Sequence, residues 1–280
     1  MLSKKEKSAV WIQRNIDVFS CPHCQSDMTL KENKTLVCHN NHSFDLAKQG
    51  YMNMLTHQVN SMYDQSLFEA RKKVIDAMLY EQMYEEILRH LPTEKASINV
   101  LDTGCGEGTH LQKLKDFYTG EMAAAGIDIA KEGILAAAKN YSEIMWIVGD
   151  LAKSPFASNS FDVILNILSP ANYDEFKRLL KPNGKVIKIV PQSGYLKELR
   201  EQFYAQSEKE AYSNDKTVAR FKESFPHVDT LRVTATKKIS TELVPLLAHM
   251  TPMGWHQEQK MDDVKLTEIT IDVEILIGTL

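Results

Sequence analysis

Apolar side chains recur at helical spacing between residues 66 and 91, at Leu67, Phe68, Val74, Ile75, Met78, Leu79, Met83, Ile87, Leu88 and Leu91, and Pro92 closes the stretch. That period predicts helical packing over 60–91. Ahead of it, DMTLKENKTLVC (27–38) alternates around Glu32-Asn33 and predicts two short strands joined by a hairpin turn. Behind it the apolar positions gather in short runs. Ile98, Val100 and Leu101 come first, then 123–127 (AAAGI), 144–148 (IMWIV), a fourth strand within 155–165 (PFASNSFDVIL) and a fifth with its Pro-Asn-Gly turn in 181–190 (KPNGKVIKIV). Strands alternating with helices imply an α/β fold with a doubly wound parallel sheet, whose ligand sits at the C-terminal strand ends. The pattern divides the chain into an N-terminal arm and module (1–59), a helical connector (60–95) and a main domain (96–280), with no internal repeat or low-complexity tract.

Composition narrows the class. A chain of 280 residues with ordinary apolar and charged fractions can bury one large domain plus a small accessory one. Its longest apolar runs, 161–168 and 273–280, are interrupted and too short for a membrane span, and the start (MLSKKEKSAVW) has no extended apolar region of a signal peptide. A cytoplasmic protein without membrane contact is expected. Four cysteines are too few for a disulfide scaffold. The formal charge of −4 gives no support to a nucleic-acid track, and the basic clusters at 4–7, 71–73 and 237–238 read as solvated faces.

Three of the four cysteines and three of the nine histidines fall within 21–45, CPHCQSDMTLKENKTLVCHNNHSFD. Cys21 and Cys24 are two residues apart, so both thiolates can meet one ion, and Cys38 with His42 forms a second pair beyond the hairpin. Paired knuckles of this spacing suit tetrahedral Zn²⁺ with three sulfurs and one nitrogen. His23 and His39 compete for the fourth position, but each adjoins a cysteine, where the backbone would have to fold back sharply; this favours His42. Four protein ligands close the site, so the metal's role is structural, folding a module too small to fold on its apolar core.

The main domain opens at 98–108, INVLDTGCGEG, where a short strand ends at Asp102 and Gly104, Gly106 and Gly108 form the turn into a helix starting near Thr109. Glycines let the backbone approach a ligand closely. A dinucleotide fingerprint would read G-x-G-x-x-G against a pyrophosphate. This turn instead places Asp102 before the first glycine and Glu107 between the last two. Carboxylates repel a pyrophosphate and attract the sulfonium and ammonium of S-adenosylmethionine. Asp128, after the second strand, is placed to accept from ribose hydroxyls, and Asp150, after the third, to meet the adenine amino group. Either acid alone could be an ordinary helix cap. Their joint order with the turn residues Asp102, Gly104, Cys105 and Gly106 points to a methyltransferase rather than a nicotinamide enzyme.

The zinc knuckles followed by HSFDLAKQGYMNML, the ARKKVIDAMLY helix, LDTGCGEG, and MTPMGW at 250–255 together resemble the RlmA-type 23S ribosomal RNA guanine-N1 methyltransferases over nearly the whole chain. The resemblance implies a class I S-adenosylmethionine methyltransferase, Rossmann-like, with an N-terminal zinc module. It also implies a homodimer that methylates N1 of one guanine in a 23S rRNA hairpin loop, near the peptide exit tunnel where macrolides bind. By the same resemblance Cys21, Cys24, Cys38 and His42 are the zinc ligands. Tyr80 lies against the cofactor, His110 and Leu111 contact it, and Tyr195 falls where a relative can carry histidine. About twenty residues precede the first cysteine, a longer arm than the family pattern.

Guanine N1 is protonated at neutral pH, so attack on a methyl group requires removal of that proton or stabilisation of charge on O6. Single-stranded loops offer splayed bases for such a pocket. Asn166 and Ser169, in NILSP at the end of the fourth strand, are the candidates to meet a target base, the plainer alternative being that they satisfy backbone groups. No general base emerges from the sequence. Two other classes carry different expectations: a methyltransferase for another RNA or a small molecule would share the core without needing an RNA-gripping knuckle, and a non-catalytic zinc protein would not bind S-adenosylmethionine.

Overall fold

A computed structural model of the chain describes residues 2–59, 62–204, 212–255 and 266–280. The first helix, α1 (Lys4–Arg14), starts from a capping box: Ser3 Oγ accepts from the Glu6 N–H, and the Glu6 carboxylate accepts from the Ser3 N–H at 2.7 Å. Strands β1 (Met28–Lys31), β2 (Thr35–Cys38) and β3 (Ser43–Asp45) then form a three-stranded antiparallel sheet. Glu32 and Asn33 both adopt positive φ, 50° and 54°, as a tight hairpin turn of matching twist requires. After β4 (Tyr51–Asn53), the expected helical stretch becomes two helices, α2 (Gln65–Asp76) and α3 (Glu81–Arg89), while residues 60 and 61 lie outside the described residues. Asp64 caps α2 through the Leu67 N–H at 2.9 Å, and Met78 at φ 58° breaks the path between the two helices.

The remaining elements are β5 (Ser97–Thr103), α4 (Thr109–Phe117), β6 (Glu121–Asp128), α5 (Lys131–Asn140), β7 (Met145–Val148), β8 (Phe161–Ile167), α6 (Tyr173–Leu179), β9 (Leu180–Pro191), α7 (Lys197–Tyr204), α8 (Asp215–Ser224), β10 (His227–Lys238), α9 (Leu243–His249) and β11 (Glu268–Thr279). The main sheet runs β10-β11-β9-β8-β5-β6-β7-β4. Strands β4 to β9 are parallel, whereas β11 runs antiparallel to β9 and to β10. The sheet is therefore mixed rather than purely parallel, because β10 and β11 add an antiparallel edge to the doubly wound part. Chain order reverses between β5 and β8, the switch point at which such sheets open a crevice. Among the described residues no helix is long and apolar enough to cross a membrane.

Alternating side chains divide the core between the two faces. Val100, Ala124, Trp146, Leu165 and Ile187 pack with residues of α2, α3, α4, α5, α7 and α9. On the other face Leu101, Ile127, Ile147, Ile164 and Val186 pack with α6 and α8 at one end and with Ile12, Phe19, Met28, Leu36 and Phe44 at the other. The metal module and α1 thus cover part of the main sheet as a helix layer would. Backbone bonds reinforce the junction: Ser20 N–H donates to Pro155 O at 3.0 Å and Ala157 N–H to Val18 O at 2.9 Å, while β4 pairs with β7 from Tyr51↔Trp146 to Asn53↔Val148.

Candidate functional site

Two short turns build the metal centre. The Gln25 N–H donates to Cys21 O at 2.7 Å and closes the first knuckle; the Cys38 N–H donates to His42 O at 3.0 Å and closes the second. The ligand atoms of Cys21, Cys24, Cys38 and His42 then lie within 4.8 Å of one another. His42 Nδ1 sits 3.4, 3.5 and 3.4 Å from the sulfurs of Cys21, Cys24 and Cys38, and Cys24 and Cys38 sulfurs are 3.7 Å apart. A tetrahedral zinc about 2.3 Å from sulfur and about 2.0 Å from nitrogen gives S–S edges of about 3.8 Å and S–N edges of about 3.5 Å, so the residues fit the ion. His23 is exposed, its ring 4.8 Å from that of His42 and 6.0 Å from that of Phe44, and His39 is exposed, both outside the converging set.

At the switch point, the turn after β5 holds Gly104, Gly106 and Gly108 at φ 71°, 56° and 77°. A Cβ at Gly104 would come 1.8 Å from Ser169 Oγ, and one at Gly108 would come 2.3 Å from the Trp146 ring, so neither position admits a side chain. Gly104, Gly106, Asp128 and Asp150 line a cleft of about 510 Å³, together with Phe68 and Trp255. Asp128 braces the turn as well, accepting from the N–H of Gly106 and of Ala130, each at 2.8 Å. Asp150 accepts from the Ala152 N–H at 2.8 Å.

Beneath the turn lies a group of buried acids. Asp102 is fully buried with one carboxylate oxygen unpartnered, and burial pushes its carboxyl up to about 7. Glu107 is equally buried, its Oε2 3.1 Å from Arg71 Nε; burial raises its pKa, and the Arg71 charge acts against that rise. Burial raises Asp128 too, against its backbone hydrogen bonds and Arg71. Acids buried behind the cleft wall favour a ligand bearing positive charge and disfavour a second anion. Cys105 and Leu111 are buried and, like Asp102, line neither this cleft nor its neighbour.

The neighbouring cleft, of about 660 Å³, is lined by Tyr80, His110 and Tyr195 among others. The Tyr80 and Tyr195 hydroxyls are 2.8 Å apart, and His110 Nδ1 lies 2.7 Å from the Tyr84 hydroxyl. Burial holds His110 well below its ordinary value, so it is neutral at pH 7. The two clefts meet: Arg71, Leu168, Ser169, Pro170, Met250 and Pro252 line both. Of the two candidates to meet a base, Ser169 stands at this junction, whereas Asn166 is buried with its amide turned inward. Asn166 Nδ2 donates to Thr103 O, Thr103 Oγ1 and Pro170 O at 3.1, 3.0 and 2.9 Å.

Sequence reasoning did not single out Arg71, read as part of a solvated basic cluster, or Lys188. The one available signal for Lys188 was a lone cation inside the apolar run KVIKIV. MTPMGW, noted only as a motif, supplies Met250 and Pro252 to the junction and Trp255 to the 510 Å³ cleft.

A glycine turn at the switch point, acids at successive strand ends and a second cleft beside the first define a class I S-adenosylmethionine methyltransferase carrying a zinc ribbon. Residues 94–249 match the model of a methyltransferase domain, and residues 19–61 match the N-terminal zinc ribbon of RlmA. YxjB of Bacillus subtilis, named provisionally as a 23S rRNA (guanine-N1)-methyltransferase, is 40% identical over 95% of this chain and 99% of its own. The 23S rRNA (guanine(748)-N(1))-methyltransferase of Streptomyces fradiae is 27% identical over 85% of this chain and 86% of its own. The chain belongs to the RlmA-type 23S rRNA (guanine-N1)-methyltransferase family.

Proposed function

We propose that this chain transfers the methyl group of S-adenosylmethionine to N1 of a guanine in a hairpin loop of 23S rRNA. The observation that carries the reading is the meeting of two clefts at Ser169 and Pro170, joined to 40% identity with YxjB across nearly the full length of both chains. Bound S-adenosylmethionine would supply an electrophilic methyl on a positive sulfur. Gly104 and Gly106 would leave room for it, Asp128 and Asp150 would hold its ribose and adenine, and Asp102 and Glu107 would balance its positive charge. Tyr80, His110 and Tyr195 would shape the wall of the second cleft, where a splayed base would be placed against the methyl; alignment supplies much of the rate. Cys105 and Leu111 would act as supports behind the turn. The ribbon would hold zinc structurally.

The family resemblance also supports a homodimer, a cytoplasmic setting and a target near the macrolide site. Reverse transcription of 23S rRNA from a deletion strain, with and without the restored gene, tests the reading. A stop at one guanine that appears only with the gene is expected. Methyl transfer to a metabolite mixture but not to naked rRNA would instead favour a small-molecule enzyme.

A further inference from the structure

We propose that Lys188 is the proton acceptor for the methylated nitrogen, its side-chain amine facing the substrate through the floor of the 660 Å³ cleft. The inference rests on the guanine-N1 reading and supplies the base that reading lacks. Lys188 is buried in the middle of β9, paired in register with Asn166 of β8, and lines the larger cleft. Its amine donates to Asn166 Oδ1 and, at 2.9 Å, to Ser169 O. The Asn166 orientation is fixed, because Thr103 O and Pro170 O can only accept and so demand the amide nitrogen. Both acceptors of Lys188 therefore stand at the end of β8, one of them in the residue shared by the two clefts.

Among the described residues no carboxylate forms an ion pair with this lysine, and burial alone pushes it down to about 8. A neutral amine has two N–H bonds and one lone pair. With both N–H bonds given to Asn166 and Ser169, the lone pair is what remains for the cleft. Other ionisable groups lining the cleft are unsuited to the task. Arg71 and Arg200 stay positive, and His110 is held well below its ordinary value. Tyr80, Tyr195 and Tyr212 are raised, and Tyr204 donates to Met253 O at 3.1 Å. Asp272 and Glu274 of β11 are engaged elsewhere, by Arg232 and by Gln192 and Asn214, and Asp162 of β8 binds Lys95 and Lys181.

The proton and the incoming methyl occupy the same in-plane direction at N1, so the proton leaves first. It passes to the Lys188 lone pair, and the electron pair left on the base spreads over N1 and O6 beside the new ammonium. N1 then forms its bond to the methyl carbon as the carbon–sulfur bond breaks, with that electron pair staying on sulfur as the sulfonium becomes a neutral thioether.

The test uses the full chain with its zinc. In protein labelled with ¹³Cε-lysine, the Lys188 resonance, assigned by its absence in Lys188→Arg, is expected to titrate with a midpoint near about 8. A midpoint in the ordinary lysine range overturns the proposal. In single-turnover methylation of 23S rRNA, Lys188→Met is expected to be slower by about 100-fold or more. Its rising limb should move from near 8 up to the substrate's own N1 ionisation, with S-adenosylhomocysteine affinity by calorimetry within about twofold of wild type. Lys188→Arg keeps the charge yet takes up no proton, so it should be as slow as Lys188→Met; wild-type speed in Lys188→Arg overturns the proposal. Wild-type protein that places no methyl on guanine N1 fails the functional reading itself, whereas wild-type activity with an unchanged pH profile in Lys188→Met fails the lysine assignment alone.

Discussion

Two regions of this molecule gather ionisable groups, and they are closed in opposite ways. In the ribbon, three sulfurs and one nitrogen face one another within 4.8 Å, so a single ion would complete the set. At the switch point, Asp102 and Glu107 are buried and Asp128 half-buried beside two open clefts, with Arg71 opposing part of the charge and one Asp102 oxygen left unpartnered. A closed cluster spends its ligand on folding, whereas an unbalanced one keeps its binding energy for whatever enters. The two are mechanically joined all the same, because the ribbon covers the sheet face opposite Trp146 and contributes β4 to the same sheet.

The largest expected effect comes from opening the closed site. Structural zinc contributes about 10 kcal/mol or more to folding of small knuckles, comparable to the whole stability of a domain. Cys21→Ser should therefore empty the ribbon of zinc and melt it. Its apolar residues would withdraw from Ile127, Met145 and Ile147, so the methyltransferase sheet should lose stability too. Thermal unfolding with zinc content measured on the same sample checks this. An unchanged main transition after loss of zinc would separate the two regions and break the comparison.

Next in size is the cleft's own carboxylate. Asp128 accepts from two backbone N–H groups of the turn and the following helix, so Asp128→Ala should both loosen the turn and remove the acceptor proposed for the ribose. A loss of about 100-fold in S-adenosylhomocysteine affinity by calorimetry is expected, from about two to three kcal/mol for hydrogen bonds to a charged group. Asp128→Asn keeps one acceptor and should fall between.

The same contrast explains what could be read from residue order. The ribbon was legible because its chemistry lies within 21–42 and its turn is local: spacing alone brought four ligands together, and Glu32-Asn33 marked the hairpin. The strand-end acids were legible for the same reason, each following its own apolar run. The junction was legible only at Ser169. Arg71 reaches Glu107 across 36 positions, and Lys188 owes its environment to Asn166 on a neighbouring strand and to burial, neither of which a single segment encodes. The contribution of α1 and the ribbon to one face of the main core was hidden likewise, since their apolar residues look like an independent module's own.

A smaller effect follows from the unbalanced acids. With its folded pKa near 7, above an unfolded value of about 3.9, the Asp102 carboxyl binds its proton more tightly in the folded state. Its contribution to stability without ligand is therefore largest at low pH and is lost as pH rises from about 4 through about 7. A cationic ligand prefers the charged form, so affinity for S-adenosylhomocysteine, which keeps the ammonium, should rise with pH through about 7 and level off above. Asp102→Asn should flatten that rise, weaken binding, and leave the free protein as stable or more so at pH 8. Calorimetry across pH checks the sign; affinity that falls as pH rises would place Asp102 away from the ligand's positive charge.

The smallest effect concerns how the two regions communicate. His57, just past β4, places its Nε2 3.9 Å from an Asp150 carboxylate oxygen at the 510 Å³ cleft, with the histidine side half exposed. Exposed pairs of this length contribute little, so His57→Ala should change cofactor affinity by less than about threefold. The stronger route is the backbone. Tyr51 pairs with Trp146, and the Trp146 ring occupies the space that a side chain at Gly108 would need, so a shift of β4 moves the wall of the glycine turn. A proline at Met52, which removes a backbone N–H from this edge pairing, should therefore weaken S-adenosylhomocysteine binding more than His57→Ala does. The reverse order would assign the coupling to the His57–Asp150 contact and leave the added strand as a covering alone.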